Sequence, residues 1–128
     1  YPAGEMLLSD KRLKAGMDKI EKEGKAFAEK LRKDFHTEEA HRVEEQTGEL
    51  LEQVYEFRNL LNLDAYVHYF YEDTVSFLDL FDRSKTCVFV DEPARVKEHA
   101  DAVELEFRES MAHRLEKGYL LPGQMDLL

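Results

Sequence analysis

The chain has 128 residues, which fits one domain, and 43% of them are apolar, enough for a core rather than a disordered tail. Charged residues make up 36% and the formal net charge is -10, so the surface repels phosphate and the chain alone is a poor binder of DNA or RNA. No run of roughly 18 apolar residues could span a membrane and no signal-peptide pattern occurs. The single cysteine, Cys87, excludes an internal disulfide and suits a reducing, cytoplasmic home.

Residues 1–8, YPAGEMLL, read as an extended lead-in, and a start at Tyr1 rather than Met suggests a piece of a longer protein. Ser9 is a good N-cap. After it, Leu13, Met17, Ile20, Phe27, Leu31 and Phe35 recur at steps of three, four and seven, one stripe of a helix. Gly16 and Gly24 weaken that helix by about 1 kcal/mol each and mark a bend or a close contact. Thr37, with Glu38 and Glu39 behind it, reads as a second N-cap with acids where the helix dipole favours them. The next stripe is Val43, Thr47, Leu50, Val54, Phe57 and Leu61. Two helices of roughly 24 residues, each about 36 Å long, joined near Phe35–Thr37, predict an antiparallel hairpin.

The pattern changes at residue 62. NLDAYVHYFYED is aromatic and short of strong helix formers, so a loop with an extended piece over 66–70 is expected. Thr74 then caps a short helix over 75–81, and DRSK turns. Residues 86–90, TCVFV, are β-branched or apolar throughout and read as a strand buried on both faces, with Cys87 as a buried structural thiol. Pro93 suits the first position of a last helix whose apolar side is Val96, Ala100, Val103, Phe107, Met111 and Leu115. Gly118 is its expected C′ residue, and the end is extended or loop. The predicted class is therefore α/β but mostly α, with an incomplete sheet. A lone buried strand cannot satisfy its own N–H and C=O groups, so its neighbours must lie outside this chain if the strand is real.

The strand runs into Asp91-Glu92-Pro93. In motor ATPases such a pair of acids holds magnesium and polarises water, but that chemistry needs a phosphate cradle of the form G-x-x-x-x-G-K-[ST], and none occurs. An acid at the start of a helix explains both residues without chemistry. His36, His41, His68, His99 and His113 are scattered without a zinc-type spacing, and no second cysteine assists them. Ser9, Ser76, Ser84 and Ser110 lack a nucleophile-elbow setting. Tyr66, Tyr69, Phe70 and Tyr71 form the densest aromatic group, suited to core packing or a domain interface. Arg42, Arg58, Arg83, Arg95, Arg108 and Arg114 are unranked candidates for a protein contact.

The order of these pieces resembles a known family: YPAGEMLL, a helix opening KRLKAGMDKIEKE, a second long helix, YVHYFYED, TVSFLDLF, VFVDEPAR and GYLLPGQMDLL. It is similar to the amino-terminal, UvrB-like module of the bacterial transcription-repair coupling factors (Mfd), over nearly the whole chain. UvrB-type ATPases carry Ser-His after the Asp-Glu of helicase motif II, where this chain has Pro93-Ala94. The resemblance therefore implies a degenerate helicase lobe, with Asp91 and Glu92 a vestige of motif II. Residues 1–128 would be a single fragment, the second half of the UvrB-like domain. It would have no cofactor and no catalysis of its own, and would support recruitment of UvrA, in nucleotide excision repair coupled to transcription, by a neighbouring domain. Its partners would be the rest of the parent chain, with RNA polymerase and DNA met through other domains. An apolar face left without those partners is expected to promote self-association. A segment of an active UvrB-type ATPase, or a stand-alone helical-hairpin adaptor, are the alternatives.

Overall fold

The computed structural model describes residues 8–56 and 63–127. Its longest elements are three helices: α1 (Asp10–Lys33), α2 (Thr37–Tyr55) and, with the short α3 (Val67–Phe70) between, α4 (Pro93–Glu116). Single stretches of 3-10 helix cover Leu63–Tyr66, Phe77–Leu80 and Pro122–Leu127.

Ser9 starts α1 as expected: its backbone is extended and its Oγ accepts the Arg12 N–H at 3.4 Å. Asp10 lies in the first turn and Lys30, Arg32 and Lys33 in the last, each on the side the helix dipole favours. The helix ends in a Schellman motif. The His36 N–H bonds the Leu31 carbonyl at 2.8 Å and the Phe35 N–H bonds the Arg32 carbonyl at 3.1 Å. This forces φ of +63° on Phe35, a position usually held by glycine, and turns its ring outward at 93% exposure. Phe35 is thus not part of the core stripe. The N-cap of α2 is His36 rather than Thr37, and its side chain makes no capping bond. Glu38 and Glu39 do occupy the first turn.

The hairpin packs through Met17, Ile20, Ala28 and Leu31 on α1 against Ala40, Val43, Leu50 and Val54 on α2. Each large buried side chain contributes about 1.5–3 kcal/mol. The two helical glycines of α1 are close contacts. A Cβ on Gly24 would meet Thr47, whose hydroxyl donates to the Val43 carbonyl at 2.8 Å. A Cβ on Gly16 would strike the Phe70 ring. That ring explains why 66–70 is helical rather than extended, correcting the sequence expectation: Tyr69 and Phe70 reach the hairpin core from one short turn. Phe57, Arg58 and Leu61 lie outside the described residues.

The chain returns to the hairpin at its C-terminal end. The start of α4 at Pro93 and the left-handed Gly118 (φ +77°) match the sequence reading. Gly118 lies so close to Glu39 that a Cβ would sit 2.5 Å from its carbonyl oxygen. Arg42 donates to the Lys117 carbonyl at 2.5 Å and stacks 4.5 Å over Tyr119. Further on, Leu121 and Gln124 are buried. Gln124 accepts the Leu121 N–H at 2.9 Å and donates to the Ala65 carbonyl at 3.1 Å.

Between these two packed parts the expectations fail. There is no strand among the described residues. Residues 86–90 have no regular structure and are exposed, so the one buried strand is absent. Cys87 is exposed, not a buried thiol. The apolar side of α4 is largely in water: only Met111 is buried and Leu115 half-buried, while Val96 and Val103 are 52% and 60% exposed. The short helix over 75–81 shrinks to the 3-10 turn, begun by Ser76 rather than Thr74. At 86–90 apolar sequence reads as burial, and burial needs a partner that the described residues do not supply. The architecture is helical, with two helices packed as a hairpin.

Candidate interaction surface

Asp91 and Glu92 sit at the junction of 86–90 and α4. Glu92 occupies the N-cap position with φ +47° and ψ +59°, left-handed for a residue that precedes proline. Its carboxylate does not cap the helix; Oε2 meets Arg95 Nη1 at 3.2 Å instead. Both acids are exposed. Among the described residues no group of three metal-ligating side chains comes together, so no metal centre is assembled around them or around the histidines.

The aromatic group divides. Tyr69 and Phe70 are core residues, with Tyr66 and Tyr71 half-buried against the same core. The Tyr69 hydroxyl donates to Glu23 Oε2, and the Gly123 N–H donates to Glu23 Oε1 at 3.1 Å. One carboxylate thus ties α1, α3 and the C-terminal turn together. Burial, then the bond to Glu23, pushes the Tyr69 hydroxyl far above the usual phenol range; burial also raises Tyr66. No nucleophile faces a base here, and the arrangement is that of a structural knot. Arg12 lies 5.7 Å over Tyr71, beside an open groove of about 350 Å³ that Lys19 and Asp73 also line. A second groove of about 510 Å³, at the hairpin turn, lies between Phe27, Leu31 and Leu115.

The arginines are mostly in local pairs. Arg83 bonds Asp79 at 3.0 Å, Arg95 bonds Glu92, and Arg108 meets Glu104 at 2.7 Å. Such exposed pairs are screened by solvent and contribute little to stability. Asp79 also accepts the Ser76 hydroxyl and N–H, which together with Arg83 hold its carboxyl below the ordinary range.

The most distinctive surface is apolar, and of its residues only 86–90 read as buried from the sequence. Every residue from 72 to 110 is exposed. Phe77, Leu78 and Leu80 are 72%, 57% and 70% exposed, with the Phe77 and Phe81 rings packed edge to face at 5.2 Å. Val88, Phe89 and Val90 are 59%, 90% and 54% exposed. Leu105 and Phe107 continue the pattern on α4. The backbone of residues 86–91 makes no backbone hydrogen bond among the described residues. Bare apolar side chains beside an unpaired backbone have the character of an interaction surface rather than a catalytic site.

No helix among the described residues is long and apolar enough to cross a membrane. No family model, no curated protein and no solved structure matches the chain.

Proposed function

We propose that the chain is a non-catalytic, structural part of the UvrB-like module of a bacterial transcription-repair coupling factor, where it supports recruitment of UvrA by a neighbouring domain. The observation that carries this is the unpaired, exposed run Thr86–Val90 leading into Asp91-Glu92-Pro93. An apolar run of that kind is stable in water only when something covers it. In a helicase-like lobe, other strands of the parent protein would cover it. The acids at its end would then be the remnant of motif II, and Pro93-Ala94 would stand where a working UvrB has Ser-His. The alternative of an active ATPase segment gains nothing from the geometry of Asp91 and Glu92, since Glu92 is turned to Arg95. The hairpin adaptor has one point in its favour: α1 and α2 share a core of their own.

The experiment is binding of UvrA to this chain alone and to the chain joined to the segment preceding it in the parent gene. Binding by the longer protein only is the expected result. Binding by the chain alone overturns the supporting role and turns attention to its own arginines. ATP turnover by the joined protein that is lost in Asp91→Asn would instead favour the active enzyme.

A further inference from the structure

The exposed run 86–90 is flanked by unlike charges. Arg83 and Lys85 precede it, and Asp91 and Glu92 follow it. Lys85 is held only by an exposed contact of 3.4 Å to Asp82, and Asp91 has no ion pair among the described residues. Exposed contacts of this kind exchange at little cost. A segment with cations at one end and anions at the other complements a copy of itself laid antiparallel and repels a copy laid parallel.

We propose that two copies of this chain pair through Thr86–Val90 as antiparallel strands about a two-fold axis at Val88. In that register Lys85 faces Asp91 of the second copy, and Asp91 faces its Lys85. Side chains alternate between the two faces of the ribbon. One face therefore carries Thr86, Val88 and Val90 opposite Val90, Val88 and Thr86, all of them β-branched. The other carries Cys87 opposite Phe89 twice, closed at each end by a Lys–Asp pair. Both compositions suit cross-strand packing. The backbone N–H and C=O groups of 86–90, unpaired among the described residues, become paired. A parallel pairing would set Lys85 beside Lys85 and Asp91 beside Asp91. A shift that sets Lys85 opposite Val90 would leave its charge unpaired. Five residues a side are few, because a two-stranded ribbon is marginal alone and stable interfaces bury roughly 1,200–2,000 Å². The dimer is accordingly weak and concentration-dependent. The pairing is a property of this chain on its own, and strands of a parent protein that cover residues 86–90 would compete with it.

Sedimentation of the full chain over a range of concentrations, with the charges reversed, tests it. Lys85→Glu and Asp91→Lys each place two like-charge pairs in the dimer and should weaken association on the order of tenfold. An equimolar mixture of the two variants restores complementary pairs and should associate as the unaltered chain does. Cys87 is the only cysteine, and the two copies of it lie diagonally across the ribbon at about 7–8 Å. A short bis-maleimide should link them in the unaltered chain and in the mixture, and much less in either variant alone. A monomer at every concentration overturns the pairing. So does a dimer whose strength or Cys87 cross-linking is indifferent to the reversals.

Discussion

The hairpin with its C-terminal turn and the stretch from 72 to 110 are built from similar residue types and end in opposite states. On α1 and α2, apolar residues at helical spacing meet one another across a shared core. On α4 the same spacing yields a helix of 24 residues whose first four turns face water. Helix formation there does not depend on burial. Pro93 at N1, a Schellman end at Gly118, and the i,i+4 pairs Lys97–Asp101 and Glu104–Arg108 support it locally, each pair by about 0.2–0.5 kcal/mol. The lesson is that periodicity reports where a helix forms and which side could be buried, while burial itself belongs to a partner.

The largest contrast should come from paired truncations. Ile20→Ala empties a site of 0% exposure in the hairpin and is expected to cost about 2–5 kcal/mol in urea unfolding. Val103→Ala on α4 should change stability by less than about 0.5 kcal/mol. A loss above 1 kcal/mol at Val103 would mean that α4 is covered in solution. Next is Gly118→Ala, where the left-handed backbone and the Glu39 carbonyl both oppose a Cβ. A loss of about 2 kcal/mol is expected, together with faster amide exchange in the last turn of α4; exchange unchanged there would show that the end of α4 is not anchored at this point. The smallest expected loss within the packed part is that of Tyr69→Phe, which removes one hydrogen bond to Glu23 and should cost about 1 kcal/mol at neutral pH. It also carries a pH signature. The folded-state pKa of Tyr69 is raised, so its contribution is fully present below the unfolded value of about 10 and falls as pH rises beyond that. Tyr69→Phe should reduce the alkaline loss of stability, leaving the shares of Tyr66 and Tyr55, both also raised by burial. An alkaline limb unchanged by the substitution would contradict the burial of that hydroxyl.

Much of the fold was legible because its signals are local. Ser9, Pro93 and Gly118 act within a turn of themselves, and the hairpin follows from two stripes and a short link. Phe35 misled because a residue two steps past a helix end keeps the sequence spacing but not the helical direction. The aromatic run 66–70 misled because its conformation is fixed by the notch at Gly16, some fifty residues away. The knot of Glu23, Tyr69 and Gly123 joins positions 46 and 100 apart, which no window along the chain connects. Of the candidate surface, the residues were visible and their exposure was not. Apolarity at 86–90 reads the same whether the neighbouring strands are present or absent.

The attachment of α4 has a mechanical consequence. Among the described residues the helix is held at its C-terminal end, where Gly118 and the Arg42–Lys117 bond meet the hairpin, and its first four turns are exposed. A rod of 24 residues is about 36 Å long, so a tilt of only about 10° at the fixed end would carry the Asp91–Pro93 end through roughly 6 Å. Whatever grips residues 86–92 therefore works on the hairpin with a long arm, and Gly118 is the fulcrum.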